Sequence, residues 1–312
     1  QNVIDKFFTG DQHQEMSFSL TSLSQFLKYT YTKHITLTDE CCTHGIEYGL
    51  GRQDSSYIET NETKTSVTCI ECRYPTYLCD LIRTNIMNKT VDTQNDEMIQ
   101  DAMNVTNDCC TKFRMFMAHR MRCKNQNESI GKIKDEMVER LIQSGGKDVQ
   151  ALMIVDFKIK FEPVSARETT LDHYGKRGIG WHGIHIMYFN LEDVEDGKDG
   201  KISKQPVQYS VYLDQVLEDG NKQDTICVVS LLDAALKQIS YNIPSIKSII
   251  LQSDNANSYQ NNFIICAIAL LNASNTGHCV RIISFIHTET QDGKTVLDAH
   301  FARCMRFLNH FM

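Results

Sequence analysis

Three stretches of the chain put acidic side chains where a solvated surface charge has no reason to sit. Asp156 interrupts the apolar run "ALMIVDFKIKF", Ala151 to Phe161. Asp254 closes the apolar stretch Ile249 to Leu251 in "SIKSIILQSDNANSYQNN", with Asn255 beside it. "HTETQDGKTVLDAHFARCM" offers Glu289, Asp292, Asp298 and His300. An unpartnered carboxylate in an apolar segment is costly, so each acid calls for a partner. Asp254 has two readings, a helix N-cap accepting orphan N–H bonds or a metal ligand at the carboxyl end of a buried strand. Asp156 is either held by backbone donors or is a ligand of the same metal. Carboxylates gathered in one pocket need divalent cations to balance them, and hard oxygen ligands suit Mg²⁺ or Mn²⁺. Two such ions can clamp the attacking and leaving oxygens of a phosphodiester. Asp298, followed by apolar Phe301, is the favoured third acid, Glu289 the second choice, and Asn255 would orient a water.

The cysteines suggest a second kind of chemistry. There are 12, and eight of them (Cys41, Cys42, Cys69, Cys72, Cys79, Cys109, Cys110 and Cys123) lie in the first half. Cys227, Cys266, Cys279 and Cys304 lie singly in apolar segments, where a thiol acts as a small hydrophobe. "CIEC", Cys69 to Cys72, is a zinc-type pair that needs further ligands. One set joins it to Cys42 and either Cys41 or His44; another joins it to His119 and Cys123. A structural zinc would stabilise a small front domain. The pattern suits an intracellular protein, whereas a secreted one would pair these thiols as disulfides.

The formal net charge of −7 is not a nucleic-acid footprint, but the charge is unevenly spread. "TKFRMFMAHRMRCKNQ" carries Lys112, Arg114, Arg120, Arg122 and Lys124 without an acid. "YGKRGIGWHG" places Lys176 and Arg177 before the single Trp181 and His182. Lys and Arg contact phosphates, and aromatics stack on bases; the other reading of Trp181 is a ring packed on the sheet. Lys158 and Lys160 share a strand face with Asp156 by period-two alternation.

These side chains must be positioned by elements, and 312 residues with 41% hydrophobic residues suffice for a real core. The longest apolar stretch, Phe263 to Leu271, is too short to span a bilayer, so no membrane association is expected. The chain begins at Gln1 rather than Met and is read as compatible with a fragment. Residues 1–146 form a mainly helical, Cys-rich region ending in Gly145-Gly146, where "KIKDEMVERLIQSG" spaces apolar residues three and four apart. Residues 147–312 read as three strands joined by short links, expected to be antiparallel, then helix, strand, helix, strand and helix. The order β-β-β-α-β-α-β-α is that of the ribonuclease H-like fold, an α/β mixed sheet with crossover helices on both faces. In that fold the first and fourth strands are central neighbours, which brings Asp156 and Asp254 to one sheet edge.

Together, "DFKIKF", "RETTLDHYGKRGIGWHG", "LQSDNANSY" and "ETQDGKTVLDAHFA" resemble blocks of the three-carboxylate transposases and retroviral-type integrases. They are more similar still to eukaryotic transposon-derived proteins of the Kyakuja–Dileera–Zisupton kind, over most of Ala151 to Met312. The resemblance implies cut-and-paste DNA transposition, with Asp156 and Asp254 as two catalytic acids. The third acid departs from the pattern, lying further beyond Gly293 than the integrase glutamate does. The resemblance also places cysteines near Cys41, Cys42 and His44, which favours the first zinc set. It implies a nuclear protein acting on transposon ends and target DNA as a homodimer or higher oligomer. A nuclease limited to hydrolysis and a domesticated, inactive DNA- or protein-binding module are the alternatives.

Overall fold

The computed structural model describes residues 70–89, 96–161, 178–195, 202–217, 223–273, 277–288 and 296–311. Two compact units are distinguished, Gln1–Asn125 and Gln126–Met312. In the first, α1 (Ile70–Lys89) lies beside the start of α2 (Asp96–Gln143). A Cys79–Cys110 disulfide joins them, and Arg83 Nε donates to Asn107 Oδ1 at 3.0 Å. On α2, Cys123 Sγ is 3.6 Å from His119 Nε2, an i,i+4 pair. Cys41, Cys42, His44, Cys69 and the side chain of Cys72 lie outside the described residues, and with them the expected zinc set.

The second unit holds β1 (Val149–Phe161), β2 (Ile179–Glu195), β3 (Ile202–Val216), α3 (Thr225–Asn242), β4 (Ile246–Asp254), α4 (Asn262–Leu271), β5 (Arg281–Thr288) and α5 (Val296–Phe311). The sheet order is β3-β2-β1-β4-β5. The pairings β1–β2 and β2–β3 are antiparallel, and β1–β4 and β4–β5 are parallel. This mixed topology is compatible with a ribonuclease H-like fold, and all eight expected elements are present in the expected order.

Burial follows position in the sheet. Central β2 is buried on both faces from Gly180 to Tyr188, whereas edge strand β3 alternates exposed and half-buried residues. On one face Ala151, Met153 and Val155 of β1 pack with Ile184 and Ile186 of β2 against α3 and α4. The α3 residues Val228, Leu232, Ala235, Leu236 and Ile239 recur at helical spacing and form its buried stripe. The other face is divided. The end of α2 sets Ile130, Ile133 and Met137 over Leu152, Met187 and Ile250. Farther along the strands, α5 sets Leu297 and Phe301 over Trp181.

Two helix starts differ from the sequence reading, which begins α4 at Asn257 and places Asp298 about two turns into α5. Helix α4 begins at Asn262, because Asn261 caps it by accepting from Ile264 N at 3.1 Å; residues 257–259 form a turn instead. Helix α5 begins at Val296, so Asp298 sits in its first turn, not two turns in. Cys266 and Cys279 are exposed, which corrects their reading as small core hydrophobes; Cys227 and Cys304 are half-buried.

Candidate metal centre

Register places the first two acids together. The last paired residues of β1 and β4 are Ile154 and Gln252. Asp156 and Asp254 each lie two residues beyond, so they share a face on strands about 4.8 Å apart. On the other side of β1, Asp156 stands opposite Gly183, and Gly183 stands opposite Asp214 of β3. Asp254 in turn pairs with Thr288 of β5. Asp214, Gly183, Asp156 and Asp254 thus form one row across four strands.

Gly183 makes room for the third acid. A Cβ there would lie 2.5 Å from Phe301 Cζ and 3.2 Å from Leu297 Cδ2. Real Cβ atoms do not approach so closely, so the missing side chain lets α5 rest directly on β2. At 3.6 residues per turn, Asp298 lies about 100° from Leu297 in one direction and His300 about 60° in the other. One flank of α5 therefore points toward Asp156 and Asp254, and the other toward Asp214. His300 Nε2 lies 2.8 Å from Asp214 Oδ2, a hydrogen bond that holds this rotation.

The electrostatics agree with the geometry. Burial, then the Asp254 carboxylate, then that of Asp298 push Asp156 up to about 7, against a weaker opposing hydrogen bond from the Phe157 backbone. Burial and the same Asp156 and Asp254 charges also raise Tyr259, which stays a neutral phenol. Asp254 Oδ1 accepts from Ala256 N at 3.0 Å. This is a local turn, and the α4 cap belongs to Asn261, so capping does not account for Asp254. Asn255 Oδ1 and Tyr259 Oη are buried without a hydrogen-bond partner. The charges of Asp254 and Asp298 both act on Asp156, and carboxylates gathered on one face call for a divalent cation to balance them. The donor set is all oxygen, which suits Mg²⁺ or Mn²⁺.

The structure separates the other expected site residues. Lys158 lies on the Asp156 face, with Nζ 5.3 Å from the Trp181 ring centroid. Trp181 and His182 are corrected to interior residues. The Trp181 indole is 6% exposed, meets Phe301 edge-on at 5.3 Å and donates from Nε1 to Asp214 Oδ1 at 2.8 Å. His182 is fully buried on the opposite face, with Nδ1 2.8 Å from Gln215 Oε1, and desolvation lowers it to about 4. Neither offers a surface to phosphate or base. Arg120 is half-buried on α2. Lys176, Arg177, Glu289 and the Lys160 side chain lie outside the described residues.

Sequence reasoning passed over Gly183, Asp214, Arg303 and Arg306. A glycine inside a strand signals close backbone approach, and "GWHGIH" carried that signal. Asp214 sits on an exposed-looking edge strand, and nothing in "YLDQ" marks it. Arg303 and Arg306 are exposed on α5 and line a shallow groove with Ala299, Phe307 and His310.

No protein-family profile and no curated protein matches the chain. Among solved structures, it is similar to the Mos1 transposase paired-end complex with left transposon end, at 10% identity and a TM-score of 0.25, covering 90% of this chain and 70% of that one. It is also similar to the Mos1 strand transfer complex, at 11% identity and a TM-score of 0.23, covering 97% and 77%. Likeness this slight adds no argument to the strand order and the carboxylate geometry.

Proposed function

We propose that the chain is the catalytic region of a transposase, cleaving DNA and joining a 3′-hydroxyl end to a target strand. The observation that supports this reading is that Asp156 and Asp254 share one sheet face at the ends of β1 and β4, with the charges of Asp254 and Asp298 both acting on Asp156. When bound there, Mg²⁺ or Mn²⁺ would polarise the scissile phosphate and acidify the attacking water or 3′-hydroxyl. The three carboxylates would hold the ions, and Asn255 would orient a water through its orphaned oxygen. Lys158, on the same sheet face, would neutralise phosphate charge near the reacting atoms. Arg303 and Arg306 extend a basic row along α5, and phosphate contacts of this kind set register without reading sequence. A nuclear location and pairing of two active sites in a homodimer or higher oligomer belong to the same reading. The front cysteines would hold a structural zinc.

The test is cleavage and joining of labelled DNA with Mg²⁺ or Mn²⁺ by the full chain. Asp156→Asn and Asp254→Asn are each expected to lower both reactions by about 10³-fold, the scale of one lost electrostatic group. Nicks without joined products would assign a hydrolytic nuclease. DNA binding with no metal-dependent cleavage in the wild type would assign an inactive binding module and end the transposase reading.

A further inference from the structure

On the far flank of α5 a second cluster has a different chemistry. Asp214 of β3 and His300 and Cys304 of α5 bring a carboxylate oxygen, an imidazole nitrogen and a thiol within 4.8 Å of one another. His300 and Cys304 are an i,i+4 pair on one helix face, with Cys304 Sγ 3.6 Å from His300 Nε2. Two of the ligands are oriented from outside. Trp181 Nε1 holds the other oxygen of Asp214 at 2.8 Å. The Tyr212 ring stacks on His300 at 4.2 Å and 9°. Behind Tyr212, at 4.8 Å, lies His185, 5% exposed and with no partner on either ring nitrogen.

We propose that Asp214, His300 and Cys304 form a metal site that takes Zn²⁺, separate from the all-oxygen centre. Mixed N, O and S ligands select a borderline-soft ion such as zinc over Mg²⁺. Ligating carboxylates and imidazoles are commonly fixed by outer hydrogen bonds, and Trp181 supplies one to Asp214. A Cys–His–Asp nucleophile is the competing reading. The zinc count below separates the two, because a nucleophile has no metal equivalent to lose. The bound ion would pin α5 to β3 and hold Asp298 on its opposite flank.

The proposal is tested on the full chain, stripped with chelator and reloaded with Zn²⁺ alone. Bound metal is counted by elemental analysis after gel filtration, and folding is checked by circular dichroism. Cys304→Ser and Asp214→Asn are each expected to lose one equivalent relative to wild type; the isosteric Asp214→Asn guards against a fold lost in the other. Trp181→Phe should weaken that equivalent by about tenfold. Asp156→Asn should leave the count unchanged, because its site belongs to hard cations. Wild-type stoichiometry retained in folded Cys304→Ser and Asp214→Asn would overturn the proposal, as would a wild type that binds no zinc.

Discussion

Asp156 and His182 lie on adjacent rungs of β1 and β2, on opposite faces, and respond to pH with opposite sign. Asp156 has its folded pKa raised to about 7, from an unfolded value of about 3.9. Its protonated form therefore adds stability that is complete below about pH 4 and lost as pH rises through about 7. His182 is lowered to about 4 by burial, from about 6.5 in the unfolded chain. Its neutral form adds stability present above about pH 6.5 and lost as pH falls toward about 4. Comparing wild type with Asp156→Asn isolates the first effect. In chelator, Asp156→Asn should melt near wild type at pH 4 and be more stable by about 1–3 kcal/mol at pH 8. With saturating Mg²⁺ at pH 8 the order should invert, because only the wild type gains from ligand binding. A thermal-melting series across pH with and without Mg²⁺ reads both. If the chelator curves stay parallel across pH, Asp156 is not strained by its neighbours.

The contact of α5 with β2 decides whether there is a site at all. Gly183 is the hinge of that contact, since a Cβ would meet Phe301 at 2.5 Å. Gly183→Ala should lift or rotate α5 and draw Asp298 away from Asp156. The expected costs are about 1–3 kcal/mol of stability from overpacking and more than about tenfold in metal-dependent cleavage, because misplacing a positioned group by about 1 Å is that damaging. Phe301→Leu added to Gly183→Ala makes space again and should return part of the activity. Assays of the single and double variants beside their melting curves check this; a Gly183→Ala protein with full activity would show that α5 does not depend on the close approach. The opposite flank works by a different force. Asp214 accepts from Trp181 and pairs with His300, so the same helix is packed in the middle and hydrogen-bonded at one side.

Across the whole second unit, the larger apolar cluster and the candidate site lie on different faces of the sheet. The α3/α4 face holds the larger apolar cluster, with Leu232, Ala235 and Leu236 fully buried. The acids lie on the α2/α5 face, at the carboxyl ends of β1 and β4. Open sheets with parallel strands place their sites there because side chains can leave the core at the strand tips. Leu236→Ala should thus cost about 2–5 kcal/mol through the cavity it leaves. Cleavage per folded molecule should stay unchanged well below the melting temperature. Denaturant unfolding and an activity assay at low temperature measure the two separately. An activity loss matching that of Asp254→Asn would mean the faces are coupled. No helix among the described residues is long and apolar enough to cross a membrane.

Element order was legible in the sequence because hydrophobic periodicity is a local property. Strands with β-branched runs and helices with three-four spacing declare themselves one segment at a time. Asp156 and Asp254 were legible for the same reason, as charges set against apolar runs. Everything that required two segments at once was not. "GWHG" reads as part of a strand whose Trp181 either contacts DNA or packs on the sheet, and only the pairing of β2 between β3 and β1 buries Trp181 and His182. Helix α5 starts at Val296, which puts Asp298 in its first turn, and that start was not legible in the sequence. Asp214 carries no local signal, because its partners Trp181 and His300 lie 33 and 86 residues away. The residue types capable of chemistry were set by sequence; their convergence was decided by strand register and by one glycine that lets a helix touch the sheet.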